Sequence, residues 1–237
     1  MPDAHPPPAP PGNRLLARLP PDDYHHLLPH LQPTAFAPKQ VLYQADSPID
    51  FAYFPTRGVL SAGSVMGDGS SIEVAAFGNE GMVGLAVLLE TGTALHRVIV
   101  QVPGERLRIR ADDLKAETDR SAALRSLLAR YQAAVLMQTA QSAACNGLHT
   151  VRQRCCRWLL LTHDSLGEED LPLTHELLGM MLGVRRNSVT EVLHPLREHG
   201  VIGTGRGTIA VLDREKLEAA SCECYRTVKE RFGRLLG

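Results

Sequence analysis

Thr174-His175-Glu176-Leu177-Leu178-Gly179-Met180-Met181-Leu182-Gly183-Val184-Arg185-Arg186-Asn187-Ser188-Val189-Thr190-Glu191-Val192-Leu193 is the stretch that decides the fold. Thr174 is a candidate N-cap, placed before an apolar set of Leu177, Leu178, Met181 and Leu182 spaced along one helix face. Gly183 closes that helix and Val184 packs in the turn. A second helix is expected from Arg185 to His199, with Val189, Val192, Leu193 and Leu196 facing inward. A helix, a glycine turn and a second helix of this length make a helix-turn-helix.

The outward residues of the second helix carry the chemistry. Arg185, Arg186, Asn187, Ser188, Thr190 and Glu191 cluster at its start, the end from which a recognition helix presents side chains to base edges. Arg can hold guanine through two hydrogen bonds, Asn can hold adenine, and Glu can accept from cytosine N4. Ser188 and Thr190 suit phosphate contacts. Thr174 and His175, at the start of the first helix, complete the set on this side. A solvated polar helix face would look similar, so the next residues matter. Val201-Ile202, the turn Gly203-Thr204-Gly205-Arg206-Gly207, and Thr208–Leu212 read as strand, turn and strand. Directly after a helix-turn-helix this hairpin reads as a wing, with Arg206 at its tip against phosphate. The expected partner is double-stranded DNA.

Total charge does not carry that expectation. The formal net charge is −1, and residues 147–237 hold 13 Lys/Arg against 12 Asp/Glu. Binding must come from charge placed on one face. No P-loop, G-x-S-x-G elbow or H-E-x-x-H is present, so an enzyme is not expected. No run approaches the roughly 18–20 apolar residues of a membrane span. Residues 1–20 are rich in proline and lack an apolar signal core, and are expected to be a disordered leader. The cytoplasm is the expected location. Cys145, Cys155, Cys156, Cys222 and Cys224 form no C-x-x-C pair and are expected to be reduced, buried thiols, with oxidant sensing by Cys222 and Cys224 as the alternative. His25, His26, His30 and His96 show no metal-ligand spacing with a third ligand, so no metal and no cofactor is expected.

Residues 36–110 read as β-rich. Short apolar runs recur at Val41–Tyr43, Phe51–Phe54, Gly58–Ala62, Ile72–Phe77, Val98–Val102 and Leu107–Ile109, with a hairpin turn at Met66-Gly67-Asp68-Gly69-Ser70. From Asp112 to Asn146 there is no proline or glycine, and good helix formers dominate. Leu124, Leu128, Tyr131, Val135, Gln138, Ser142 and Cys145 form a heptad seam on this helix. The seam can pair with a second copy as a parallel coiled coil, which is the expectation, or bury against the chain's own domain. Asn146-Gly147 reads as helix stop and hinge.

In this order the parts resemble the Crp/Fnr superfamily over about residues 20–215, most closely at Leu173–Gly179, Leu182–Leu193 and Gly203–Val211. The resemblance implies an α+β chain. Its parts are an N-terminal β-roll sensor (21–111, jelly-roll-like), a long dimerisation helix (112–146) and a winged helix-turn-helix domain (147–237). It implies a homodimeric transcription factor on a near-palindromic operator, and RNA polymerase as a further partner if the protein is an activator. Family base readers fall on Arg186, Asn187 and Glu191, where the usual pattern is Arg, Glu, Arg, so a different operator is expected. Gly81, Met82, Val83, Gly84, Leu85, His96 and Arg97 align with the family's effector pocket. Cyclic-nucleotide binders carry Glu where Leu85 stands, and Leu85 cannot accept from a ribose hydroxyl. His96 falls at their phosphate-binding Arg, and strand alternation puts Arg97 on the other face. An unidentified signal is therefore expected to act through the β-roll, the alternative being a true cyclic AMP or cyclic GMP receptor.

Overall fold

Helix α1 (Pro21–Leu27) starts on proline, whose missing N–H is harmless in a first turn, with Asp22 and Asp23 beside the positive end of the helix dipole. The computed structural model describes residues 12–89 and 91–236. Seven strands follow: β1 (Gln32–Ala35), β2 (Val41–Tyr43), β3 (Phe51–Pro55), β4 (Val59–Val65), β5 (Ser71–Phe77), β6 (Arg97–Val102) and β7 (Glu105–Arg110). They form two antiparallel sheets in the orders β2-β6-β4-β5 and β1-β7-β3. Tyr43, Ala52, Phe54, Leu60, Ala62, Val98, Val100 and Ile109 belong to one buried core. The β4–β5 turn needs Gly69 at φ 84°, and Asp68 Oδ1 accepts from the Ser70 N–H at 2.9 Å.

Helices α2 (Ala111–Arg120), α3 (Ala122–Leu148) and α4 (Val151–Leu166) come next. The chain then forms β8 (Asp170–Leu171), α5 (His175–Leu182), α6 (Arg186–Glu198), β9 (Ile202–Gly205), β10 (Thr208–Val211), α7 (Arg214–Ala220) and α8 (Cys224–Leu236). The last three strands form a sheet in the order β8-β10-β9. The architecture is α+β. Among the described residues no helix is long and apolar enough to cross a membrane.

Four expectations need correction. The proposed leader is packed over its second half, while residues 1–11 lie outside the described residues. Asn13 is fully buried, and its amide donates to the carbonyls of Pro55 and Gly81, both at 2.8 Å. Leu15, Leu16 and Leu19 join the β-roll core. Proline content reads as disorder only where no leucines follow to be buried. Second, the expected single helix from 112 is two, because Ser121 leaves helical geometry and caps α3 by accepting from the Leu124 N–H at 3.0 Å. Third, α3 runs through Asn146-Gly147 to Leu148. Asn146 accepts from Arg154 at 3.0 Å, bracing α4, and the chain turns at His149 into the Thr150–Gln153 capping box.

The fourth correction concerns the seam. Leu124, Leu128, Tyr131, Gln138, Ser142 and Cys145 are buried, and Val135 half-buried, within the chain itself. Tyr131 meets Phe232 of α8 edge-on at 6.4 Å, and Gln138 donates to the Ala76 carbonyl at 3.3 Å. Helix α8, which the heptad count does not reveal, covers part of this face. The seam is an intramolecular core face.

The C-terminal half docks on the β-roll through β4 and β5. Ser61 Oγ donates to Met181 Sδ at 3.3 Å, and Trp158 Nε1–H donates to Glu73 Oε1 at 3.0 Å. Glu73 Oε2 is buried without a partner. Burial pushes the Glu73 carboxyl up to about 7, against the pull of Ser61, Arg157 and Trp158. A raised carboxyl stabilises the folded state fully below its unfolded value, and that contribution fades as pH rises through the folded one. The wild type should lose up to about 3 kcal/mol of stability between about pH 4.5 and pH 7 from this group. Glu73→Gln should flatten that slope in urea titrations across the range, and an unchanged slope would contradict the assignment.

Candidate nucleic-acid interface and sensor cavity

Thr174 caps α5, its Oγ1 accepting from the Leu177 N–H at 3.1 Å. Gly183 ends α5 in the left-handed region at φ 64°. At Gly179 a Cβ would stand 2.9 Å from the Val184 carbonyl oxygen, so the turn closes only around a glycine. Leu178, Met181, Leu182, Val189, Leu193 and Leu196 join one core with Trp158 of α4. This core fixes α6 against α5 and leaves the first turn of α6 outward.

Arg186 and Asn187 are exposed on that turn, Arg185 is exposed just before it and Thr190 and Glu191 on the next turn, and Ser188 is half-buried. Arg185 is the N-cap residue of α6 and makes no side-chain cap bond. Thr190 Oγ1 shares a hydrogen bond with His175 Nδ1 at 3.0 Å and donates to the Arg186 carbonyl at 3.3 Å. Thr190 and His175 thus brace the two helices. Burial, and then the charge of Arg186, lower the His175 pKa. Arg206 is exposed at the β9–β10 tip, where Gly207 takes φ 78°. The structure therefore brings the base-reading candidates onto the outward first two turns of α6, with Arg206 on the adjoining hairpin.

The sensor candidates divide. Met82, Val83, Gly84, Leu85 and His96 line a cavity of about 100 Å³ together with Tyr43, Phe77 and Val135. Gly81 and Arg97 do not line it, which corrects their placement. Gly81 backs onto Tyr131, whose hydroxyl would lie 2.2 Å from an added Cβ. Arg97 sits on the opposite face of β6, among Glu73, Met180 and Met181.

A cyclic nucleotide does not fit this cavity. Its lining is apolar apart from His96 and Tyr43, and the Tyr43 hydroxyl already donates to the Phe51 carbonyl at 2.6 Å. Among the described residues no Lys or Arg lines it to meet a phosphate. The space is well below the roughly 300 Å³ at which small-molecule pockets begin. A larger cavity, about 280 Å³, opens between the β-roll, α3, α4 and α8, lined in part by Arg14, Glu80, Gln138, Trp158 and Lys229. Sequence patterns missed it because its walls come from six separate stretches of the chain.

Two family models match the chain. Residues 33–121 match the cyclic nucleotide-binding domain, and residues 153–220 match the Crp-like helix-turn-helix domain. The two matched domains together, a cyclic nucleotide-binding domain followed by a Crp-like helix-turn-helix, are those of the Crp/Fnr family. That is a family of transcriptional regulators, not enzymes, and the helix-turn-helix is its DNA-binding element. Solved structures share the fold. FixK2 from Bradyrhizobium japonicum is 18% identical with a TM-score of 0.69, over 81% of this chain and 98% of that one. A Crp/Fnr family transcriptional regulator from Eubacterium rectale is 17% identical with a TM-score of 0.67, over 87% and 96%. The c-di-GMP responsive global regulator CLP of Xanthomonas campestris is 16% identical with a TM-score of 0.64, over 80% and 98%. No curated relative matches the chain.

Calorimetry of the full Crp/Fnr chain with cyclic AMP and cyclic GMP should give no saturable heat. Tight, saturable binding of either would overturn this account of the cavity.

Proposed function

We infer that this regulator works in the cytoplasm as a homodimer on a near-palindromic operator, with a signal received through the β-roll setting its DNA affinity. The observation that carries the reading is the outward N-terminal half of α6. Arg186, Asn187 and Glu191 there have the chemistry to read bases, while Arg185, Ser188 and the wing's Arg206 are placed to reach phosphate. Thr174 and His175 hold the preceding helix in place.

The pairing surface is the outer face of α3, not the seam. Ala129, Ala133, Leu136, Ala140, Ala143 and Gly147 repeat at heptad spacing and are all exposed. Leu136 is 72% exposed and Leu148 82%, unusual for leucines on one helix. Small residues around Leu136 let two copies approach closely. Two recognition helices joined this way would meet half-sites about one helical turn apart. As an activator the protein would also touch RNA polymerase.

A duplex-binding assay over a salt series tests both parts. Wild type should lose affinity steeply as salt rises, because phosphate contacts release counterions. Arg186→Ala should relax preference at one base position by about 1–3 kcal/mol. Leu136→Glu should sediment as a monomer and bind about 100-fold or more weakly, having lost the linked second half-site. Salt-insensitive binding, or a Leu136→Glu dimer of full affinity, would contradict the reading.

A further inference from the structure

Cys145, His149, Cys222 and Cys224 are far apart in sequence and come together at the end of α3. Cys145 and His149 lie one helical turn apart, on the same side of α3 and its C-cap. Cys222 precedes α8 and Cys224 opens it. The three sulfurs and one ring nitrogen all lie within 4.8 Å of one another. Cys145 Sγ is 3.5 Å from Cys222 Sγ, and Cys224 Sγ is 3.6 Å from His149 Nδ1. A tetrahedral zinc with Zn–S of about 2.3 Å and Zn–N of about 2.05 Å requires separations of about 3.8 Å and 3.6 Å. Ligand atoms this close leave room for one metal ion and none for the bridging sulfides of an iron–sulfur cluster. Three thiolates and an imidazole are a ligand set characteristic of structural zinc.

The surroundings have the form of a metal site's outer support. His149 presents Nδ1 to the sulfurs, while its Nε2 lies 3.2 Å from Glu223 Oε1, the carboxylate partner that orients a metal-bound imidazole. Gln141 Nε2 donates to Cys224 Sγ at 3.0 Å. Arg157 is buried, donates to Ser142 three residues before Cys145, and has Nε and Nη1 without partners. A buried cation with unused donors suits a centre whose three thiolates outweigh the charge of the ion by one. Apolar packing of thiols explains the burial of Cys145, Cys222 and Cys224. It does not explain an imidazole nitrogen turned toward them with a carboxylate behind it.

We propose that Cys145, His149, Cys222 and Cys224 bind one zinc ion, which pins the α7–α8 junction to the end of α3. Binding exchanges three thiol protons, released to solvent, for three Zn–S bonds, and the neutral imidazole supplies the fourth ligand. The expectation of reduced, metal-free thiols is replaced at three of the five cysteines. The heptad count assigned Cys145 to a seam, and the separation of 77 residues from Cys222 hid the set. The ion sits beside the turn at His149, where the chain passes from α3 into the DNA-binding half, so it fixes the posture of that half on the long helix.

The test is metal analysis of the full-length chain, purified under reducing conditions without chelator. One zinc per chain is expected by plasma mass spectrometry, retained by Cys155→Ala and lost by Cys222→Ser. Because cysteine variants can fail to fold, two further measurements stand beside them. Cobalt exchanged into the wild type should give the intense visible bands and thiolate charge transfer of a tetrahedral thiolate site. Glu223→Gln, at an exposed position, should stay folded and bind zinc about 10–100-fold more weakly in a chelator competition. A metal-free chain with three freely titrating thiols, a Cys145–Cys222 disulfide in its place, or cobalt spectra of octahedral type would each overturn the proposal.

Discussion

The burial of one face of α3 against its own chain is the constraint on which the rest of the molecule depends. Tyr131 is its centre. Its hydroxyl donates to the Met82 carbonyl at 2.9 Å and accepts from the Met82 N–H at 2.8 Å, satisfying both backbone groups inside the core. Gly81 must be glycine for the ring to come this close. The same face meets α8 through Phe232, reaches β5 through Gln138, and ends in the Cys145 cluster. One helix surface thus ties the β-roll wall, the C-terminal helix and the approach to the DNA-binding half.

That arrangement would give the proposed signal a physical route. Met82 lines the small β-roll cavity and is bonded to Tyr131 of α3. Its backbone cannot shift without breaking that pair or moving the helix. The DNA-binding half adds a second point of coupling through Glu73, Trp158 and the Arg57–Glu168 ion pair. Between such elements, allosteric coupling of a few kcal/mol is ordinary, enough to change DNA affinity by an order of magnitude or more.

Much of this was legible in the sequence, and the reasons for the exceptions are physical. The helix-turn-helix stood out because Thr174, Gly183 and the apolar set of Leu178, Leu182, Val189 and Leu193 are local signals, and they do what such residues do. The strands were bounded by glycine and proline, although β1, an edge strand containing Pro33, gave no signal. The seam on α3 was visible but its partner was not, since periodicity names a buried face without naming what covers it. The alanine face, weaker in hydrophobicity, passed unnoticed beside it. Family alignment put Arg97 in the pocket and strand alternation put it on the other face, where it lies, whereas the Cys145–Cys222 meeting had no local signal, because nothing local specifies a contact across that distance.

The central claim is that two copies of α6, set by a shared α3, read two half-sites in opposite orientation. Selection of bound duplexes from a random library by the full-length protein tests it most directly. The account predicts an inverted repeat whose half-site centres lie about 10 base pairs apart, with the strongest base preferences in each half-site. Enrichment of a single unrepeated site, of direct repeats, or of no sequence at all would contradict it.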